Sequence, residues 1–152
     1  MHKLKFEKHI SASPAKVFEV MLSPETYPSW AGVFHPGSHY DGEMKPDGVV
    51  HFVGTNEKTG LKDGMISRIV VYEPGMQISF QNVGLVHQGE EILDGEAIKE
   101  WLGAMEEYFL DDDGQGGTLL KIETDTVDAY KDYFEGIWPK ALDKLVEIIS
   151  EN

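Results

Sequence analysis

Six histidines and 27 carboxylates are the side chains of this sequence best suited to chemistry, and their spacing limits what they can do. His35 and His39 stand four apart, the separation that places two metal ligands on one helix face. Pro36-Gly37 lies between them and forbids that helix, so the spacing loses its meaning. His51 and His87 would need a carboxylate to complete a site, and a neutral histidine in a strand is ordinarily a half-buried polar residue. There is no cysteine, which removes disulfides, thiolate metal sites and thiol nucleophiles together. Neither a metal nor a cofactor is expected.

The carboxylates fall into runs: Glu90-Glu91, Glu106-Glu107 and Asp111-Asp112-Asp113. Adjacent residues of a strand point to opposite faces, so Glu106 and Glu107 cannot share one proton across a cavity. One of the two can point inward, and an inward glutamate with a raised pKa is a candidate base. A solvated face is nevertheless the reading adopted, since acidic residues are seldom buried unpaired. Asp111 to Gly114 lacks the alternating ligands and distal glutamate of a calcium loop. Gly114-Gln115-Gly116-Gly117 leads from strand to strand, so no helix N-terminus follows to hold a phosphate. Serines and threonines occur without a patterned histidine and aspartate, and no triad can be built.

The aromatic residues say more. Trp30, Phe34, Tyr40, Phe52, Phe80, Tyr108, Tyr133 and Trp138, with Ile137, are expected around the space between a sheet and a helix. Ligand cavities are mostly apolar with a few polar groups to orient the guest, and Arg68, Thr124 and the tyrosine phenols fit that role.

The elements that must position these residues follow from pattern. His2 to Ala12 alternates and reads as a strand. Ser13-Pro14 is an N-cap followed by proline at the first helical position, with Val17, Phe18, Met21 and Leu22 at helical spacing behind it. Ser23-Pro24-Glu25 starts a second short helix that runs out near Trp30. Ser38–Met44, Val49–Asn56, Met65–Tyr72, Gln77–Val83, Ala104–Leu110 and Thr118–Val127 then read as strands separated by turns rich in glycine. Short turns make sequential strands antiparallel neighbours, a meander. Glu90–Trp101 breaks the rhythm as a short helix or a lid-like loop.

Tyr130 to Ser150 is an amphipathic helix: Tyr133, Phe134, Ile137, Trp138, Ala141, Leu142, Leu145, Ile148 and Ile149 recur at its period. Pro139 inside it predicts a bend, and Gly136 a close approach to a neighbour. The sum is an α+β domain over residues 1–152: a curved antiparallel sheet wrapped around the long C-terminal helix, with two short helices after the first strand.

This pattern resembles a known family. Ala12-Ser13-Pro14-Ala15-Lys16-Val17-Phe18 is similar to the opening of the START-like superfamily (SRPBCC), which includes the birch-pollen allergens and the polyketide cyclases. Trp30, Phe34-His35-Pro36-Gly37-Ser38, the Gly64 to Pro74 strand and turn, Gly117-Thr118 and Tyr133-Phe134-Glu135-Gly136-Ile137-Trp138-Pro139-Lys140-Ala141-Leu142 resemble its activator-of-heat-shock-ninety-ATPase branch. The resemblance implies the helix-grip fold, with a deep cavity between the final helix and the sheet. Its members include lipid carriers, cyclases, co-chaperone domains and uncharacterised bacterial proteins, so it implies no single function.

Composition narrows the partners. Thirteen lysines and arginines against 27 aspartates and glutamates give a formal charge of −14, which repels phosphate backbones and anionic lipid surfaces. Nucleic acid and membrane are therefore not expected partners. Met1 to Ile10 contains no signal-peptide apolar core, and no apolar run approaches the roughly 20 residues of a membrane span, so the expected location is cytoplasmic. The leading expectation for function is a module that holds an apolar or amphipathic small molecule in the cavity. A protein-interaction domain akin to the chaperone ATPase activators is the alternative. A cyclase- or hydratase-type enzyme ranks third, because no polar constellation can be assembled from the sequence.

Overall fold

A computed structural model describes residues 1–152. The first strand, β1 (His2–Ile10), is followed by two helices, α1 (Pro14–Leu22) and α2 (Tyr27–Ala31). Ser13 caps α1 by accepting from the Lys16 amide at 3.2 Å, with Pro14 just inside the helix. The Trp30 indole donates to the Met21 carbonyl at 2.9 Å and fastens α2 to α1.

Seven strands follow: β2 (His39–Asp41), β3 (Val49–Thr55), β4 (Lys62–Glu73), β5 (Gln77–His87), β6 (Glu90–Ile92), β7 (Met105–Asp112) and β8 (Thr118–Thr126). A one-turn helix, α3 (Glu96–Lys99), lies between β6 and β7, and α4 (Asp128–Glu151) closes the chain. All pairings are antiparallel, in the order β1-β8-β7-β5-β4-β3-β2, with β6 attached to the end of β5. The expected meander is present, and β1 joins it through β8. The strand β6 was not anticipated: its three residues are too short for an alternation to register, and the hairpin turn at Gln88-Gly89 is what makes the pairing.

Register fixes which residues look inward. On β8, Thr118, Leu120, Ile122, Thr124 and Thr126 are buried, while Lys121 on the same strand is exposed. Across the sheet Thr124 stands opposite Glu106, and Glu106 opposite Phe80. A bulge between Ile66 and Ser67 shifts β4 against β5, so that Ser67 pairs with Asn82.

The helix α4 is anchored by its C-terminal half. Trp138, Ala141, Leu142, Leu145, Ile148 and Ile149 are buried and belong to the main core with α1, α2 and the inner sheet face. The N-terminal half is different. There Tyr130, Phe134 and Trp138 follow one another at intervals of four and face the sheet across a gap. Tyr133 and Ile137 lie one position earlier, about 100° round the helix, and leave that inner face. Tyr133 is 47% exposed and donates from its hydroxyl to the Phe34 carbonyl at 2.8 Å. The close approach expected at Gly136 is absent, since the residue is exposed with open space where a Cβ would sit. No helix is long and apolar enough to cross a membrane.

Candidate functional site

The gap beneath the first half of α4 is a cavity of about 830 Å³. Its walls come from four directions. The helix α2 and the loop after it supply Tyr27, Trp30 and Phe34; α4 supplies Tyr130, Phe134 and Trp138; β3 to β5 supply Phe52 and Phe80; and β7 and β8 supply Tyr108 and Thr124. The rings pack edge to face, as their quadrupoles favour: Phe34 and Trp138 have centroids 4.9 Å apart, Phe52 and Phe80 5.1 Å, and Tyr27 and Trp30 5.3 Å.

Seven of the eleven side chains expected in the cavity line it: Trp30, Phe34, Phe52, Phe80, Tyr108, Thr124 and Trp138. Tyr40, Arg68, Tyr133 and Ile137 do not. Tyr40 lies behind Tyr27 and Phe52, with its hydroxyl donated to the Leu22 carbonyl at 2.6 Å. Arg68 is exposed opposite Val49, because Ser67 and Ile69 on either side of it take the buried positions of β4.

The sequence reading missed the polar floor. Glu106 is the inward member of its pair, sharing the face of Tyr108 and Leu110, and that common parity with two apolar residues was the available signal. The Tyr108 hydroxyl donates to Glu106 Oε2 at 2.6 Å. Glu106 touches solvent only partially, as part of the cavity wall, and is otherwise enclosed by protein. Burial raises its pKa above the ordinary carboxylate value, against the opposing pull of the Tyr108 hydrogen bond. Burial also raises the pKa of Tyr108 and of Tyr27, and the nearby Glu106 charge adds to both. No cation lies within ion-pairing distance of Glu106, whereas Asp125, also on the wall, is paired with Lys3 at 3.1 Å.

Beside Glu106 on the same face is Asn82. Its Nδ2 donates to the Gly84 carbonyl at 3.1 Å, which fixes the orientation of the amide, and its Oδ1 is buried without a partner. Ser67 stands directly opposite Asn82. Both line the cavity.

The segment from Glu90 to Trp101 also reaches the site. After β6 and α3, with Ile98 buried, it delivers Trp101 to the cavity wall, 6.1 Å from the ring of Tyr130. The histidines show no shared centre. His35 and His39 contact backbone carbonyls at 2.8 and 3.0 Å, His51 pairs with Glu91 at 2.8 Å, and His87 with Asp63 at 3.4 Å.

A curved antiparallel sheet gripping a C-terminal helix over an aromatic cavity defines a START-like, helix-grip protein. The family model described as polyketide cyclase / dehydrase and lipid transport matches residues 1–92, and the chain belongs to that family. No curated protein matches it. Among solved structures, a protein from Arthrobacter aurescens superposes with a TM-score of 0.72 at 15% identity, covering 99% of this chain and 87% of that one. The Aha1 dimer from Colwellia psychrerythraea gives 0.71 at 14% identity, covering 98% and 96%. A protein from Rhizobium leguminosarum gives 0.70 at 16% identity, covering 99% and 95%. At these identities the likeness is one of fold.

Proposed function

We propose that this protein binds an apolar or amphipathic small molecule in the cavity between α4 and the sheet. The observation that carries the proposal is the cavity itself: about 830 Å³ of space walled by aromatic rings, with Ser67, Asn82, Glu106 and Thr124 on the inner sheet face and further polar residues of the α2–β2 loop and the β3–β4 turn around it. A volume of this size suits a drug-sized guest, and the ratio of apolar wall to polar floor is that of sites that hold such guests. Family membership supports the same reading, since lipid transport is part of the family description.

The molecule supplies its own reporter. All three tryptophans, Trp30, Trp101 and Trp138, lie on the cavity wall. Titration with flat aromatic compounds and medium-chain lipids should therefore change tryptophan emission saturably, with one-to-one complexes in native mass spectrometry. Emission that stays constant through such a screen, with no adduct in the spectrometer, sinks the reading.

A second reading is acid–base catalysis in the same cavity, favoured by the Glu106–Tyr108 hydrogen bond and the phenol of Tyr27 near it. A protonated carboxylic acid held in an apolar site is suited to donating a proton to a guest carbonyl or hydroxyl. Turnover of a bound compound that Glu106→Gln abolishes without loss of binding would separate this reading from simple carriage.

A further inference from the structure

We infer that the guest of this cavity carries a protonated amine, whose nitrogen sits against Glu106 while its apolar body lies among the aromatic rings. The inference deepens the binding reading above and rests on it.

Three independent features point to a cation. The first is the polar floor. Glu106 is an acid inside the cavity, and its one hydrogen-bond partner is a phenol with no cation in reach. Asn82, 4% exposed and diagonal to Glu106 across β5 and β7, adds a second polar side chain to that floor and no positive charge. An enclosed acid with no cationic partner is costly to ionise, and an ammonium offers it both a positive charge and three donors.

The second feature is the wall. Tyr27, Trp30, Phe52, Phe80, Tyr108 and Trp138 present π-faces and edges around one volume. Aromatic rings beside a carboxylate are the surroundings in which organic cations are held, through the negative face of each ring. A carboxylate or phosphate guest would meet the opposite: a second acid at Glu106, which an anion beside it keeps from ionising, and the same ring faces. The basic residues of the cavity do not offset this. His35, which sits against Gly54 of β3, His39, on the edge strand β2, and Lys58, in the turn after β3, lie at the opposite end of the strand order from β7.

The third is the exterior. A formal charge of −14 raises the local concentration of cations and lowers that of anions before any contact is made.

The test uses probes matched in everything except the polar end: naphthylmethylamine, naphthylmethanol and naphthoate, and a second series of decylamine, decanol and decanoate. Each is titrated calorimetrically at neutral pH into the full chain and into Glu106→Gln, with thermal melting to verify that the variant is folded. The amines should bind about tenfold more tightly than the matched alcohols and carboxylates, the scale of one charge-assisted hydrogen bond. Glu106→Gln should remove that preference, bringing the amines down to the affinity of their matched alcohols in the same variant. Should a carboxylate or alcohol bind as tightly as its amine, the inference is overturned and the cavity reading stands. Equal amine affinity in the wild type and Glu106→Gln overturns it in the same way. No binding by any of the six overturns both. The wild-type comparison of matched probes decides the matter even if the variant fails to fold.

Discussion

The Tyr108 phenol and the Glu106 carboxyl, two residues apart on β7, are joined inside the cavity by a 2.6 Å hydrogen bond in which the phenol donates. Both groups face inward, and burial favours the uncharged form of each. The pH dependence of stability follows. Below the ordinary glutamate value of 4.5, the carboxyl is protonated in folded and unfolded chains alike and contributes no slope. Above it the unfolded chain ionises while the folded chain retains the proton, so stability falls as pH rises until the raised folded pKa is passed. Glu106→Gln keeps an oxygen for the phenol and cannot ionise. In urea unfolding at a series of pH values, the variant should gain on the wild type from about pH 4.5 upward. A gap that does not change with pH would mean that Glu106 titrates as freely in the folded chain as in the unfolded one.

Trp138 joins the anchored and open halves of α4. It is 3% exposed and meets the rings of Phe6 at 5.8 Å, Phe34 at 4.9 Å, Trp30 at 6.3 Å and Tyr108 at 6.2 Å. Trp138→Ala removes the wall shared by core and cavity and should cost about 3–5 kcal/mol in chemical denaturation. Ile137→Ala, one position round the helix and only half-buried, should cost clearly less. Equal losses would mean that α4 is not docked in this rotation.

The sequence carried the elements well because each has a strong local signal. Ser13-Pro14 starts α1, the Glu73 to Met76 turn separates β4 from β5, and the apolar stripe of α4 is unmistakable. The site was legible only where side chains are large and apolar, as with Phe52, Phe80 and Trp138. Its polar part was hidden for two reasons. A strand pattern shows that Glu106 and Glu107 face opposite ways but does not by itself say which side the core occupies. Along β4 plain alternation puts Ser67 and Ile69 inward and Arg68 outward, while the bulge opposite Ile66/Ser67 leaves Val83 of β5 unpaired and shifts the rest of that strand, and nothing local announces it. Tyr133 and Ile137 failed for a third reason: a broad apolar stripe leaves about 100° of rotation open, and only packing against β1, α1 and α2 selects the angle.

Gly64 is the tightest point of the β3–β4 pairing. It stands opposite Val53, and a Cβ there would collide with the Phe52 carbonyl and come within 2.7 Å of the Val53 Cα. Backbone cannot yield as a flexible side chain can, so Gly64→Ala should lower stability by about 1–3 kcal/mol through overpacking. Because Phe52 and Val53 line the cavity, the substitution should also weaken guest binding. Gly60→Ala tests a different constraint, a φ of 72° with open space around it, and should leave binding unaffected. A Gly64→Ala protein as stable as the wild type would show that β3 and β4 are not held at this separation.

Ala104 offers the most direct way to close the cavity. Just before β7, it is bonded to Asn82 through the backbone, its carbonyl accepting from the Asn82 amide at 2.8 Å, and it lies on the same face as Glu106. Its methyl group is part of the wall and is only half-buried, so a larger side chain has the cavity itself to enter. Ala104→Phe would place a ring over the polar floor, between Asn82 and Glu106, at the point where the guest's polar end is proposed to sit. Binding of any guest seated there should weaken at least about tenfold, or 1.4 kcal/mol, while thermal stability holds or rises because apolar surface is added where no atoms were. Ile137→Trp is the matched control: it adds bulk on α4 outside the cavity and should leave affinity unchanged. If Ile137→Trp weakens binding and Ala104→Phe does not, the guest lies against the outer surface of α4 and the cavity is not its site.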